Sequence, residues 1–230
     1  MPPLTNVSVF LVDFDEVMYR HPAAHAIVSR RVVSLLSDRL RIGASAAEVV
    51  NRRLYGVYGH TLLGLREELG DNLSVEEFNA EVYAPSTLRE VARLPRHPDT
   101  DVRAADAERM LQRVRAAGVR PYLFSNAPRV WCEFALAEIG LSRAFTSDQM
   151  LTSDSYAAEL DLILKPATMS YDLVRKYVRT DAIAFLDDSI RNLVSAPRAW
   201  RKYLMCNSAA DGAKALGMVD VTPITHLDLL

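Results

Sequence analysis

The stretch from Val7 to Asp15 constrains the chain more than any other. Val7, Val9, Leu11 and Val12, with Ser8 and Phe10 between them, read as a short strand apolar enough for burial on both faces. The strand runs directly into Asp13-Phe14-Asp15, a pair of carboxylates with no basic residue before Arg20. At the end of a buried strand these groups repel each other, and one pKa is driven upward. A divalent cation and a reacting group would offset that cost, so the rest of the chain is to be searched for partners.

The pattern after Tyr19 is helical. Ile27, Arg31, Leu35, Leu36 and Leu40 recur at helical spacing, with Gly43 as a stop. Ser45-Ala46-Ala47-Glu48 reads as a capping box opening a helix through Val49, Val50 and Leu54. Ser74-Val75-Glu76-Glu77 reads as another, with Phe78 and Val82 on one side. Gly56, Gly59 and Gly64 follow no strand, so they make no dinucleotide fingerprint. Nothing from Arg20 to Arg93 resembles a strand, and Leu94-Pro95-Arg96-His97-Pro98 reads as a linker. From Asp101 onward the chain alternates. A helix over Ala107–Ala117 closes at Gly118, and a strand over Val119–Phe124 ends at Ser125-Asn126. A helix starts at Pro128, and an irregular stretch from Phe145 carries Asp148 and Asp154. Leu162-Ile163-Leu164 leads to Lys165-Pro166 and a helix through Leu173, Val174 and Tyr177. A strand over Ala182–Leu186 ends in Asp187-Asp188, and Tyr203-Leu204-Met205 is the last candidate strand. Strands alternating with helices predict an α/β fold with a doubly wound parallel sheet. The expected division is a core of residues 1–19 plus 98–230, with an all-helical insertion over 20–97.

In such a sheet ligands bind at the carboxyl ends of the strands. That rim would gather Asp13 and Asp15, Ser125 and Asn126, Lys165, and Asp187 with Asp188. These residue types suit phosphoryl transfer. Asp13 can attack phosphorus and carry an aspartyl-phosphate. Asp15 can protonate the leaving oxygen and later take a proton from water. Asp13 and Asp187 offer hard oxygen ligands to Mg²⁺, with Asp15 and Asp188 as further candidates. Asp188 could ligate directly, through water, or only orient its neighbours. Ser125 and nearby backbone N–H groups can bind phosphate oxygens, and Lys165 supplies a point charge.

This combination resembles the Mg²⁺-dependent phosphatases of the haloacid dehalogenase-like superfamily. The resemblance rests on Asp13-Phe14-Asp15, Ser125, Lys165-Pro166 and Phe185-Leu186-Asp187-Asp188-Ser189-Ile190-Arg191-Asn192, in that order. It implies a Rossmann-like core with a helical cap inserted after the first motif. A narrower resemblance is to the pyrimidine 5′-nucleotidase branch. It is carried by Asp13 through Tyr19, by Tyr55 through Leu65, by Ser125-Asn126-Ala127 and by Asp187-Asp188-Ser189 with Asn192. Glu16 and Val17 stand where that branch has Asn and Thr, and His60 where it often has a small residue. The resemblance implies UMP or CMP as substrate, with Ser125, Asn126, Tyr58 and His60 as contacts. A sugar-phosphate phosphatase or phosphomutase, a haloacid dehalogenase and an idle binding module are the rival functions.

Several residues also have plainer readings. His21 and His25 share an i, i+4 spacing, but Pro22 disturbs the turn and a surface or hinge role is expected. Tyr55 and Tyr58 are expected in the helical core, and Cys132 as a packed hydrophobe. Lys plus Arg number 27 against 29 Asp plus Glu, giving a net charge of −2. With no basic tract, nucleic acid is not expected as a partner. Met1-Pro2-Pro3-Leu4 opens no signal peptide, and no stretch is long and apolar enough for a membrane. The expectation is a cytoplasmic monomer or homodimer with reduced cysteines.

Overall fold

The computed structural model describes residues 4–155, 164–206 and 221–227. Six parallel strands form one sheet in the order β3-β2-β1-β4-β5-β6. They are β1 (Val9–Val12), β2 (Arg120–Phe124), β3 (Met150–Leu151), β4 (Ile183–Asp187), β5 (Arg201–Met205) and β6 (Thr222–Ile224). The chain winds outward in both directions from β1, which pairs with β2 on one side and β4 on the other. This is the doubly wound arrangement, with its topological switch between β1 and β4.

All four residues of β1 are buried, and its side chains serve two cores. Phe10 and Val12 join Leu123, Leu186 and Tyr203 beneath α6 (Pro98–Ala116) and α7 (Arg129–Glu138). Val9 and Leu11 join Tyr122, Phe124 and Phe185 beneath α8 (Thr168–Val178) and α9 (Ile190–Ser195). The alternation follows from the two-residue period of a strand. A helix layer on each face is why β1 is apolar throughout rather than at every second residue.

Between β1 and α6 lie five helices: α1 (Pro22–Leu40), α2 (Ala44–Tyr58), α3 (Thr61–Leu69), α4 (Val75–Val82) and α5 (Pro85–Val91). They largely share a separate apolar cluster around Leu36, Leu54, Leu62, Leu65 and Phe78, which Leu164 also joins. Each helix end has a local cause. Pro22 and Pro98 occupy first-turn positions, where a missing N–H is harmless. Ser74 and Glu77 make the predicted reciprocal capping box. Gly59 and Gly70 close α2 and α3 in the left-handed conformation. Gly64 of α3 leaves room for α2: a Cβ there would lie 2.8 Å from the Leu54 Cβ and 2.9 Å from Tyr58 Cδ2.

Some elements differ from expectation. The Ser45–Glu48 box does not form, because Ala44 joins α2 and the cap falls on Gly43. α6 begins at Pro98 rather than near Ala107. Its first turns bury Thr100, Arg103 and Asp106, polar residues that hide the helical period. β3 lies within the stretch read as irregular, and β6 was not foreseen. β3 is too short to show a period, and Pro223 in β6 is tolerated because that strand is at the sheet edge. Leu162 and Ile163 lie outside the described residues. No helix among the described residues is long and apolar enough to cross a membrane.

Candidate active site

The carboxyl ends of β1, β2 and β4 meet around one buried amine. Lys165 is 1 % exposed, with its Nζ 2.8 Å from Asp13 Oδ1 and 2.8 Å from Asp187 Oδ2. The same nitrogen donates to the Phe124 carbonyl at 2.7 Å, which uses its three hydrogens. It also stands 5.0 Å from the Phe124 ring centre and 5.5 Å from that of Phe185. Burial alone would discharge Lys165, but Asp13 and Asp187 outweigh it and raise its pKa above the ordinary value. Asn126 fixes its backbone from both sides. Asn126 Nδ2 donates to the Lys165 carbonyl at 2.8 Å, and the Lys165 N–H donates to Asn126 Oδ1 at 2.9 Å. Asn126 therefore spends its amide on positioning Lys165.

Asp13 continues the β1–β4 ladder, donating its N–H to the Leu186 carbonyl at 2.9 Å. Asp187 is fully buried and receives hydrogen bonds from Asn192 Nδ2 at 3.0 Å and from the Ser189 N–H at 2.8 Å. Asp188 is exposed beside them. Each of Asp13, Asp187 and Asp188 offers an oxygen, and the three oxygens lie within 4.8 Å of one another. Burial, with Asp187 and Asp188 adding to it, pushes Asp13 well up, against the pull of Lys165. Although part of its residue surface is exposed, the Asp188 carboxyl lines the cleft, where desolvation and then Asp187 push it up to about 7. Three carboxylates around one ammonium leave an excess of negative charge in a poorly solvated place. A hard divalent cation fits such a donor set.

Asp15 is placed differently. Its side chain stands outside the three-carboxylate cluster, with Oδ1 accepting from Trp131 Nε1 at 2.9 Å and from His25 Nε2 at 3.1 Å. The other His25 nitrogen lies 2.9 Å from Glu16 Oε1. With a carboxylate on each nitrogen, both can only be satisfied as donors. Burial works against the imidazolium, but Asp15 and Glu16 outweigh it and raise its pKa to about 10. His25 is thus not the surface or hinge residue its spacing suggests. Its partners lie on the turn after β1. That turn is closed by the Glu16 N–H donating to the Tyr19 carbonyl at 2.8 Å and by Phe14 stacked on Tyr19. Glu16 has φ 61, a left-handed conformation in which Asn is far commoner than Glu. Its bonds to His25 and to Arg20, at 3.3 Å, hold it there.

A cleft of about 370 Å³ opens above the rim, lined by Asp13, Asp15, Ser125, Lys165, Asp188 and Arg191 among others. Ser125 Oγ accepts from the Ala127 N–H at 3.1 Å, which leaves its hydroxyl hydrogen to donate. Arg191 reaches from α9 to the end of α2, donating to the carbonyls of Gly56 and Val57. A larger chamber of about 640 Å³ adjoins this cleft and shares Asp15, Glu16, Tyr55 and Gly56 with it.

His60 lines the chamber and caps α3, its Nδ1 accepting from the Leu62 N–H at 3.2 Å. Burial lowers its pKa to about 4. Tyr55, rather than Tyr58, faces the cavities; it is 62 % exposed and not core. Tyr58 packs toward Gly64 and lines neither cavity. Cys132 is fully buried, and burial pushes its thiol well up, as a packed hydrophobe requires. Sequence reasoning missed His25, Trp131 and Arg191 as parts of this region. Only Arg191 carried a signal, as a neighbour within the Asp187–Asn192 motif.

No family model matches the chain. Among solved structures, it is similar to a HAD hydrolase of family IA, variant 3, from Entamoeba histolytica. That match has 13 % identity and a TM-score of 0.64 over 97 % of this chain and 95 % of the other. A HAD phosphatase from Thermococcus onnurineus matches at 17 % identity and a TM-score of 0.56, over 96 % and 94 %. A Thermotoga maritima protein assigned as a β-phosphoglucomutase matches at 22 % identity and a TM-score of 0.55, over 96 % and 95 %. The fold is therefore the Rossmann-like α/β fold of the haloacid dehalogenase-like hydrolases, over nearly the whole chain.

Proposed function

We propose that the protein is a Mg²⁺-dependent phosphomonoesterase acting through an aspartyl-phosphate on Asp13. The observation that carries this reading is the oxygen cluster of Asp13, Asp187 and Asp188 built around the buried Lys165. Asp13, Asp187 and Asp188 would hold the ion. When bound, it would offset the charge of the carboxylates and of the phosphoryl oxygens, so that anion can approach anion. Asp13 attacks phosphorus in line, and the bond from phosphorus to the alcohol oxygen breaks. Asp15 gives that oxygen its proton, then takes one from the water that cleaves the acyl phosphate. Trp131 and His25 hold Asp15 in place for both transfers. The Ser125 hydroxyl donates to a phosphoryl oxygen, and Lys165 bridges Asp13 and Asp187 and fixes the position of both carboxyl groups.

The substrate we propose is a pyrimidine nucleoside monophosphate, UMP or CMP. The motif stretches from Asp13 to Tyr19 and from Tyr55 to Leu65 support it, and the second borders both cavities through Tyr55 and Gly56. The structural likeness to the assigned β-phosphoglucomutase supports a sugar phosphate as the rival. A dehalogenase would attack carbon and has no use for a proton donor at Asp15. The deciding assay is phosphate release from UMP with and without a chelator, in the wild type and in Asp13→Asn. Release should need Mg²⁺ and vanish in Asp13→Asn, together with any hydroxylamine-labile phosphoenzyme. Full turnover in excess chelator would remove the metal from the reading, and a turning-over Asp13→Asn would remove the nucleophile.

A further inference from the structure

The reaction uses the cleft at the sheet rim, but not the adjoining chamber. That chamber has about 640 Å³, far more than a phosphate needs. Its walls come mainly from the helices between β1 and α6. Val28 and Val32 of α1, Phe78 of α4 and Trp131 of α7 present apolar surface. Tyr83 and the ring of His60 add flat faces; His60 lies 5.3 Å from Phe78 and Tyr83 5.8 Å from Trp131 between ring centres. Some of the polar groups are engaged within the protein. Asn51 Oδ1 accepts from Thr61 Oγ1 at 2.6 Å, and Trp131 Nε1 is spent on Asp15. Among the described lining residues the cations are His25 and Arg52, set against the carboxylates of Asp15, Glu16 and Glu48. His25 bridges Asp15 and Glu16, and Arg52 lies 3.4 Å from Glu48. Carboxylates thus outnumber cations, and each cation already faces one.

From this geometry we infer that the chamber receives the alcohol part of the ester, and that this alcohol is uncharged and carries a flat ring. The inference rests on the phosphomonoesterase reading for the ester, and on the chamber alone for the ring. A polyol has no flat face to offer, and hydroxyls set against Val28, Val32, Phe78 and Trp131 would go unpaired there, at a cost in affinity. A second phosphate or a carboxylate would meet an excess of negative charge. A flat, uncharged ring stacks on the aromatic walls and meets no charge repulsion. The opening shared with the rim, at Asp15, Glu16, Tyr55 and Gly56, would join the ring to its phosphate.

Two measurements test this. The first compares kcat/KM for UMP and benzyl phosphate with that for glucose 6-phosphate and phosphoglycolate. The ring-bearing esters should lead by about tenfold to a hundredfold. The second needs no turnover: in Asp13→Asn carrying Trp200→Phe, which leaves Trp131 as the one tryptophan, fluorescence is followed while uridine, benzyl alcohol or sorbitol is added. Uridine and benzyl alcohol should quench the signal and sorbitol should not. Ser29→Phe, which adds a ring at an exposed position of α1 facing the chamber, should weaken that quenching by about tenfold or more. Quenching by benzyl alcohol but not uridine would keep the ring and remove the nucleoside. Ring binding without hydrolysis of any ester would overturn the phosphomonoesterase reading and leave the chamber assignment standing. Hydrolysis led by glucose 6-phosphate or phosphoglycolate, with no quenching by either ring alcohol, would do the reverse. Neither hydrolysis nor quenching would overturn both.

Discussion

His60 should make the protein measurably acid-labile, through one hydrogen bond. Its Nδ1 can accept from the Leu62 N–H only while the ring is neutral. Protonation removes that acceptor and sets a positive charge at the first turn of α3, where the helix dipole opposes it. Burial lowers the pKa from 6.5 to about 4, and the lost acceptor and the dipole act in the same direction. Between those values the unfolded chain binds the proton and the folded chain does not, so stability rises with pH and is lost on acidification. Taking the two pKa values, moving from about pH 7.5 to about pH 5 costs no more than about 2 kcal/mol. Asn caps a helix at least as well and does not titrate there. His60→Asn should therefore retain stability at neutral pH and flatten the acid limb by about that 2 kcal/mol. Urea unfolding at a series of pH values, wild type against variant, reads the difference directly. Parallel profiles for the two proteins would show that His60 takes its proton in the folded state, and the capping argument would be wrong.

Other outcomes follow from packing and charge. Lys165→Met leaves Asp13 and Asp187 buried without their cation and should lower the free energy of unfolding by about 3–5 kcal/mol, read by urea titration. Gly64→Ala forces a methyl against Leu54 and Tyr58 and should cost about 1–3 kcal/mol by the same measurement. Arg41 ends α1 at φ 54 with an exposed side chain, so Arg41→Gly should relieve strain and raise the melting temperature, a gain of about 1 kcal/mol.

The legible parts of the chain were those whose signal is local. Val9–Val12 announces a strand covered on both faces, and the carboxylates after it announce a strand end with chemistry. Asp187-Asp188 repeats that signature, and the topology then sets Asp13 beside Asp187. Lys165 could be named from its motif, but its burial could not, because the carboxylates that keep it charged lie far away in sequence. His25 shows the limit most clearly. Its nearest sequence pattern is with His21, whereas its actual partners are Asp15 and Glu16 on the turn before the helix. Tyr55 and Tyr58 differ in where α2 points each ring: Tyr58 packs toward Gly64 of the next helix, and Tyr55 faces the cavities. β3 and β6 were hidden for a simpler reason: a two-residue strand and a Pro-containing edge strand carry no period.

The placement of Lys165 also bears on how the molecule comes into being. Its amine touches groups at the ends of β1, β2 and β4, brought together from distant parts of the chain. Contacts of such sequence separation form slowly, because the intervening loops must close first. A chain with any one of those strands still unpaired would hold carboxylates without their counter-charge. Catalytic competence and the completed sheet should accordingly emerge in a single kinetic phase. Recovery of activity during refolding would then serve as a clock for the closing of the sheet's centre.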